Sequence, residues 1–312
     1  MSFCNSKYDS LCLICRLLFR CPSLNNSHQP LVGALLILSA GLLLAINDGL
    51  SKYLTQLYPV IFVVWVRYVS QTMLMVALFT PRMGRRVFVT LRPWSQLFRG
   101  VSLVGVSILF ISGLRYIPLA EATAVIFLAP LMVTVASALL GEHVNRSQWI
   151  AVVFSLLGVL LIVRPGSSLF TPAILLPFGA ALSFSVYQLL TRRLAGTDHP
   201  VTSNFLASLL GTTALSFLVV FNWRTPTITD AGLMVGLGCI TTLGHLLLTN
   251  AYRFASAATL APFTYGQIVF AGLVGFIAFD QAPDLGAMFG IAIIIASGLS
   301  IAYIQGRSSS FK

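Results

Sequence analysis

Asp48 and Arg67 are residues whose type and position call for chemistry. Asp48 sits in LLLAINDGLSKYL (42–54) and Arg67 in YPVIFVVWVRY (58–68), runs otherwise apolar enough to dissolve in hydrocarbon. An isolated charge at such a depth costs at least about 2.5–3.5 kcal/mol on insertion scales, so each needs a partner or water. With one helix ending near Leu54 and the next starting near Pro59, Asp48 lies roughly 9 Å and Arg67 roughly 12 Å below the same surface. The depths match, and the two are expected to meet across neighbouring helices. Such a pair either locks the helices or borders a cavity and holds a charged group.

Other polar side chains gather at similar depth. Asn47 precedes Asp48, and Trp65 and Tyr68 flank Arg67. FTYGQ (263–267) supplies Thr264, Tyr265 and Gln267, while Tyr187 and Gln188 stand in a second apolar run. Hydroxyls, amides and aromatic rings suit a cavity that holds and releases a polar organic solute; singly, they also serve as hydrogen bonds between helices. His245 shares a helical face with Thr242 and Thr249. A titrating histidine can couple to protons, and a packed one can be structural. Catalytic groupings are missing by contrast. His28 falls in the N-terminal tail, His143 and His199 in loops, and no HExxH, phosphate-binding glycine loop or GxSxG is present. Cys12-x-x-Cys15 has no second pair at ligand spacing. Neither an enzyme nor a cofactor or metal is expected.

The elements that must position these residues follow from composition. Hydrophobic residues make up 57% of 312 and charged residues 9%, with a mean hydropathy of +0.91. A soluble domain carries about 25% charged residues, so this surface must face lipid. Apolar windows recur at 31–55, 59–80, 94–114, 118–140, 147–163, 172–191, 201–221, 230–250, 257–279 and 286–304. Each approaches the length needed to cross about 30 Å of hydrocarbon, and none shows the alternation of a membrane β-barrel. The expected class is all-α integral membrane, with ten transmembrane helices.

The net charge of +11 is distributed by topology. With the N-terminus inside, Lys52, Arg115, Arg164 and Arg224 fall outside, Arg67 lies within a span, and the other fourteen Lys and Arg residues, Arg99 among them, fall inside. That is the positive-inside bias, with both termini cytoplasmic in the inner (plasma) membrane. Nucleic acid is not an expected partner, since its readers gather basic residues on one patch. Residues 1–30, which hold Cys4, Cys12, Cys15 and Cys21, form a tail that is poorly structured or interfacial. Cys239 is expected to be a small core residue, Glu121 and Arg115 solvated charges at the outer mouth, and Glu142 a loop or cap residue. Gly232-x-x-x-Gly236 and Gly286-x-x-x-Gly290 are expected to allow close helix packing.

An internal repeat underlies the pattern. LRYIPLAEATAVIFLAPLMVTVASALLGEHVNRSQ (114–148) aligns without gaps on YRFASAATLAPFTYGQIVFAGLVGFIAFDQAPDLG (252–286), placing Arg115 on Arg253 and Glu142 on Asp280. Earlier, Asn47 and Asp48 fall on Tyr187 and Gln188, and Pro59 falls near Pro200. Five helices per copy is an odd number, so the second copy must enter the membrane from the opposite side. Two inverted five-helix repeats are a common construction of secondary transporters.

The stretch ATAVIFLAPLMVTVASALLGEHVNRSQWIAVVFSLLGVLLIVRPG (122–166) resembles the EamA-type transporters of the drug/metabolite transporter superfamily. Gly141-Glu142 at the end of the fourth helix and Gly158 in the fifth carry the likeness, repeated by Asp280 and Gly298. YPVIFVVWVRY matches the second helix of that family. The resemblance implies repeats at 31–166 and 170–306, a C-terminal tail at 307–312, and alternating-access transport without ATP. The expected cargo is a small polar metabolite such as an amino acid or S-adenosylmethionine, coupled to an ion (a proton) or to exchange, in a monomer or homodimer. A lipid or lipid-linked sugar flippase is the alternative on the same fold.

Overall fold

The computed structural model describes residues 30–84, 88–141, 146–163, 172–194, 197–198, 200–251, 254, 260 and 263–309. The tail cysteines, Glu142, Arg164 and Arg253 lie outside the described residues. The described elements are helical, with no strand among them: α1 (Pro30–Leu57), α2 (Val60–Met83), α3 (Pro93–Leu114), α4 (Leu119–Ile126), α5 (Ala129–Leu139), α6 (Arg146–Val163), α7 (Leu175–Leu194), α8 (Pro200–Val219), α9 (Ile228–Ala251), α10 (Gly266–Phe279) and α11 (Leu285–Ser309). Short 3-10 turns precede α7 and follow α8.

Helix satisfies every backbone group within its own segment, which hydrocarbon demands. Seven stretches, the first Leu31–Leu57 and the last Ile228–Leu248, are long and apolar enough to cross a bilayer; Trp149–Ile162, Gly266–Phe279 and Leu285–Ser300 are apolar but shorter. Large apolar side chains such as Leu31 (79% exposed), Phe221 (86%) and Ile277 (81%) point away from the bundle, as a lipid-facing surface requires. Prolines mark the starts: Pro59 and Pro118 are N-caps and Pro93 opens α3, where a missing N–H costs nothing.

The fourth apolar window is one span in two pieces. Pro130, at the start of α5, cannot donate to the carbonyl one turn earlier, and the helix breaks at Phe127–Leu128. The corresponding place in the second half is Tyr265, the N-cap of α10. The Phe127 and Tyr265 rings touch, with centroids 5.2 Å apart.

Helix pairing is regular. The most extensive contacts join α6 to α11, α3 to α7 and α8, α9 to α1 and α2, α2 to α8, α1 to α10, α4 to α10, and α7 to α4 and α5. One buried apolar cluster runs from Ala45 through Val64, Tyr68, Phe110, Leu114 and Ala180 to Leu215 and Ala271, joining seven helices. Of the glycine motifs, Gly290 packs as expected: a Cβ there would stand 2.5 Å from the Gly158 carbonyl oxygen of α6. Gly232 and Gly236 face open space instead, and the close approach on α9 is at Gly238.

Candidate functional site

Two glycines of the second half clamp the turn that carries Arg67. A Cβ on Gly238 would come within 2.9 Å of the Arg67 carbonyl oxygen, and one on Gly211 within 2.7 Å of the Tyr68 ring. Tyr68 is buried, its hydroxyl 3.2 Å from the Leu103 carbonyl and 2.9 Å from Ser107 Oγ. The Arg67 guanidinium lies 5.1 Å from the Tyr68 ring centroid and donates through Nη2 to Ser107 Oγ at 2.6 Å. Its Nε is buried without a hydrogen-bond partner.

The expected contact between Asp48 and Arg67 is not what the side chains make. Asp48 accepts a 3.4 Å hydrogen bond from Gln267 and interacts with Asn47, while the Arg67 charge acts on it from a distance. Helix depth predicted their common level; the direction each side chain takes around its helix separates them. Both are partly accessible inside the bundle. Asn47 is buried and accepts from Thr241 Oγ1 at 2.9 Å.

Arg99, counted above as an inner-surface charge, is 2% exposed. It donates to Thr191 Oγ1 (2.8 Å), the Ser203 carbonyl (2.7 Å), the Tyr187 hydroxyl (2.8 Å) and Asn204 Oδ1 (3.2 Å), with a long 3.5 Å contact to Gln96. Its guanidinium also lies 4.6 Å from the centroid of the Tyr187 ring, which stacks on Phe184. Arg99 thus ties α3 to α7 and α8. Six residues past Pro93, it sits roughly 9 Å into its helix, a depth that was readable and that the charge count overlooked.

Close to these arginines in sequence or contact, Gln71 (one turn after Arg67) and Asn204 (bonded to Arg99) join His245, Thr242, Met75, Val201 and Leu246 around a narrow, partly open pocket. The charges of Arg67 and Arg99 both reach His245. The remaining candidates spread around this centre. Trp65 donates to Ser216 Oγ at 2.8 Å and packs on Phe62 and Trp223. Tyr265 is buried against Phe127, over Gly298, where any Cβ would overlap its hydroxyl. Thr264 and Gln188 are half-buried. Thr249 lies on α9 beyond His245.

Both ends of the bundle are tied across the two sequence halves. At one end Tyr58 donates to Asp230 at 2.7 Å, Thr227 caps α9, and Arg224 holds the Leu57 carbonyl. At the other, Asp198 accepts from Thr90 (2.5 Å), Gln96 (2.8 Å) and the Leu91 N–H (3.1 Å). Burial works to raise the Asp198 carboxyl, but those hydrogen bonds outweigh it and hold the group below the usual carboxylate range. Lys52, expected outside, is 3% exposed and donates to the Ile117 carbonyl at 2.7 Å, with its charge set against Glu121. Glu121 is likewise buried rather than a solvated rim charge, while Arg115 is exposed. Cys239 is exposed on the outer face of α9, not in the core. Among the described residues no cluster of His, Cys, Asp or Glu could hold a metal ion.

Residues 31–164 and 171–303 each match the model of the EamA-like transporter family. The chain is 29% identical over 293 residues to a protein named riboflavin transporter from Vibrio cholerae, covering 89% of this chain and 94% of that one. It is 25% identical over 268 residues to an S-adenosylmethionine uptake transporter of Rickettsia bellii (85% and 91% covered). Identity to a pseudopaline exporter of Pseudomonas aeruginosa is 27% over 280 residues (86% and 95%). With both halves matched and buried polar groups spread through a bundle of apolar helices, this multi-pass membrane protein belongs to the EamA-like transporter family.

Proposed function

We propose that the protein is a secondary carrier that moves a small polar metabolite across the inner membrane by alternating access. Its ten spans are α1, α2, α3, α4 with α5, and α6, then α7, α8, α9, the segment ending in α10, and α11. The helix pairing carries this reading. Exchanging each span with the one five places along turns α3–α7 into α9–α1, α2–α9 into α8–α3, and α1–α10 into α7 with α4 and α5. It returns α2–α8, α4–α10 and α6–α11 to themselves. The contact of Phe127 with Tyr265, which the ungapped repeat alignment superposes, supports the same axis. The matched segments support a division between residues 166 and 170, and the thirteen-to-three charge bias that remains once buried Arg99 and Lys52 are set aside supports cytoplasmic termini.

The chamber lies where the halves meet. Asn47, Asp48, Trp65, Arg67, Tyr68, Tyr187, Gln188, His245, Thr264, Tyr265 and Gln267 supply its polar and aromatic surface. The cargo is a metabolite of the amino acid or S-adenosylmethionine kind; the relatives named for uptake and for export leave either direction open. Lacking a nucleotide-binding motif, the protein draws its energy from an ion gradient, such as protons, or from exchange.

Purified protein in sealed liposomes tests this. Labelled S-adenosylmethionine, riboflavin and amino acids are expected to include at least one that equilibrates without ATP and exchanges against itself. Arg67→Gln and Asp48→Asn are each expected to lower that flux by tenfold or more at unchanged expression. Lipid scrambling with no solute flux would replace the carrier reading with a flippase.

A further inference from the structure

The polar centre of the bundle carries more positive than negative charge. Within the described spans the charged groups away from the helix ends are Asp48, Lys52, Arg67, Arg99 and Glu121. Lys52 and Glu121 are set against each other near one end. That leaves two arginines to one carboxylate, Asp48, which is engaged by Gln267 and Asn47 and feels the charge of Arg67 alone. Every hydrogen-bond acceptor of Arg99 is neutral: two hydroxyls, two amide side-chain oxygens and a backbone carbonyl. In a low-dielectric interior such an excess favours a bound anion.

The two arginines are not equivalent. Arg99 has all three nitrogens engaged and is shut away behind Asn204 and Tyr187. Arg67 donates to Ser107 and interacts with the Tyr68 hydroxyl, keeps a buried Nε with no hydrogen-bond partner, and is partly accessible. One turn along its helix, Gln71 opens onto the pocket shared with Asn204, Thr242 and His245. A guanidinium with spare donors in a planar fork matches a carboxylate or phosphoryl group in two-point fashion.

We propose that Arg67, held by Ser107 and Tyr68 one helical turn before Gln71 of the Gln71–Asn204–His245 pocket, is the receptor for an anionic group of the cargo. Arg99 supplies a fixed positive field that keeps the site short of one negative charge while it is empty. The cargo is accordingly a metabolite bearing a carboxylate or phosphoryl group, and its neutral analogue is a poor ligand. This rests on the carrier reading.

Matched pairs differing in one anionic group test it on the full-length protein. S-adenosylmethionine is set against its decarboxylated form, riboflavin 5′-phosphate against riboflavin, and dioctanoyl phosphatidic acid against dioctanoylglycerol. Binding is read by Trp fluorescence and thermal stabilisation. In at least one pair the anionic member is expected to bind at least tenfold more tightly. That preference should fall by roughly 10- to 100-fold in Arg67→Gln and return in part in Arg67→Lys, while the neutral member is unaffected. The pair that responds names the source: carboxylate, soluble phosphate or lipid phosphate. Equal binding within every pair, a preference that survives Arg67→Gln, or no binding by any anionic member would overturn the proposal. Arg67-dependent binding without liposome flux leaves the anion site standing and removes the carrier. Flux of neutral members at equal affinity does the reverse.

Discussion

Arg99→Ala is expected to lower the thermal stability of the detergent-solubilised protein more than any other substitution among its polar residues. Five acceptors on three helices converge on this guanidinium, which is 2% exposed. Removing it strands Thr191, Tyr187, Asn204 and the Ser203 carbonyl without a donor and opens a cavity the length of an arginine. Hydrogen bonds to a charged group contribute about 1.5–3 kcal/mol each and do not add, so a loss of about 3–5 kcal/mol is expected. Arg99→Lys keeps the charge but offers a point donor in place of a planar fork, and should fall between. Melting followed by size-exclusion chromatography reads the series. Wild-type melting in Arg99→Ala would mean that the α3–α7–α8 junction stands on apolar packing alone. Arg67→Gln should by contrast melt close to wild type, because Arg67 is held on one side by Ser107 and Tyr68 and leaves its Nε without a partner.

Gly290→Val should be nearly as damaging, for a different reason. Gly290 and Gly158 face each other across the α6–α11 crossing, and a Cβ at either would stand 2.5–2.8 Å from the other's carbonyl oxygen. The obstacle is backbone, so no rotamer change relieves it, and the helices must separate. Overpacking costs about 1–3 kcal/mol; a rigid obstacle and a β-branched side chain place this case at the upper end. Gly232→Ala is the control, since nothing lies within 4 Å of its Cβ position, and it should melt as wild type. Equal behaviour of the two variants would show that the α6–α11 crossing tolerates widening.

The contrast between those glycines shows where sequence patterns inform and where they stop. Gly232-x-x-x-Gly236 and Gly286-x-x-x-Gly290 are identical as spacing, yet only the second brings a glycine onto another helix. Spacing gives a shared face but not what that face meets. Helix existence was legible because it follows from apolar length, and the start read near Pro59 is one that α2 keeps. The break at Phe127–Leu128 had its cause in view at Pro130, within a window read as one uninterrupted helix.

For the site, distance along a helix was legible and rotation about it was not. Asp48 and Arg67 lie in the polar centre, but turned toward Gln267 and Ser107. Arg99, Lys52 and Glu121 were assigned by topology to surfaces, although each is within a turn or two of a span end, where a long side chain can turn inward. Cys239 erred the other way, since a small apolar residue gives no sign of its direction. Tyr187 was singled out because it aligns with Asn47, and the likeness extends to contacts. Asn47 of α1 bonds Thr241 on α9, and Tyr187 of α7 bonds Arg99 on α3, the counterpart of α9.

Residues 56 and 197 probe the inverted arrangement most directly, because they sit near corresponding connections, before Pro59 and Pro200. With every native cysteine replaced by serine, Gln56→Cys and Thr197→Cys are labelled in intact cells with a maleimide that cannot cross the membrane. The account predicts labelling of position 56 from outside, and of position 197 only after the cells are opened. Labelling of both positions from the same side would contradict it.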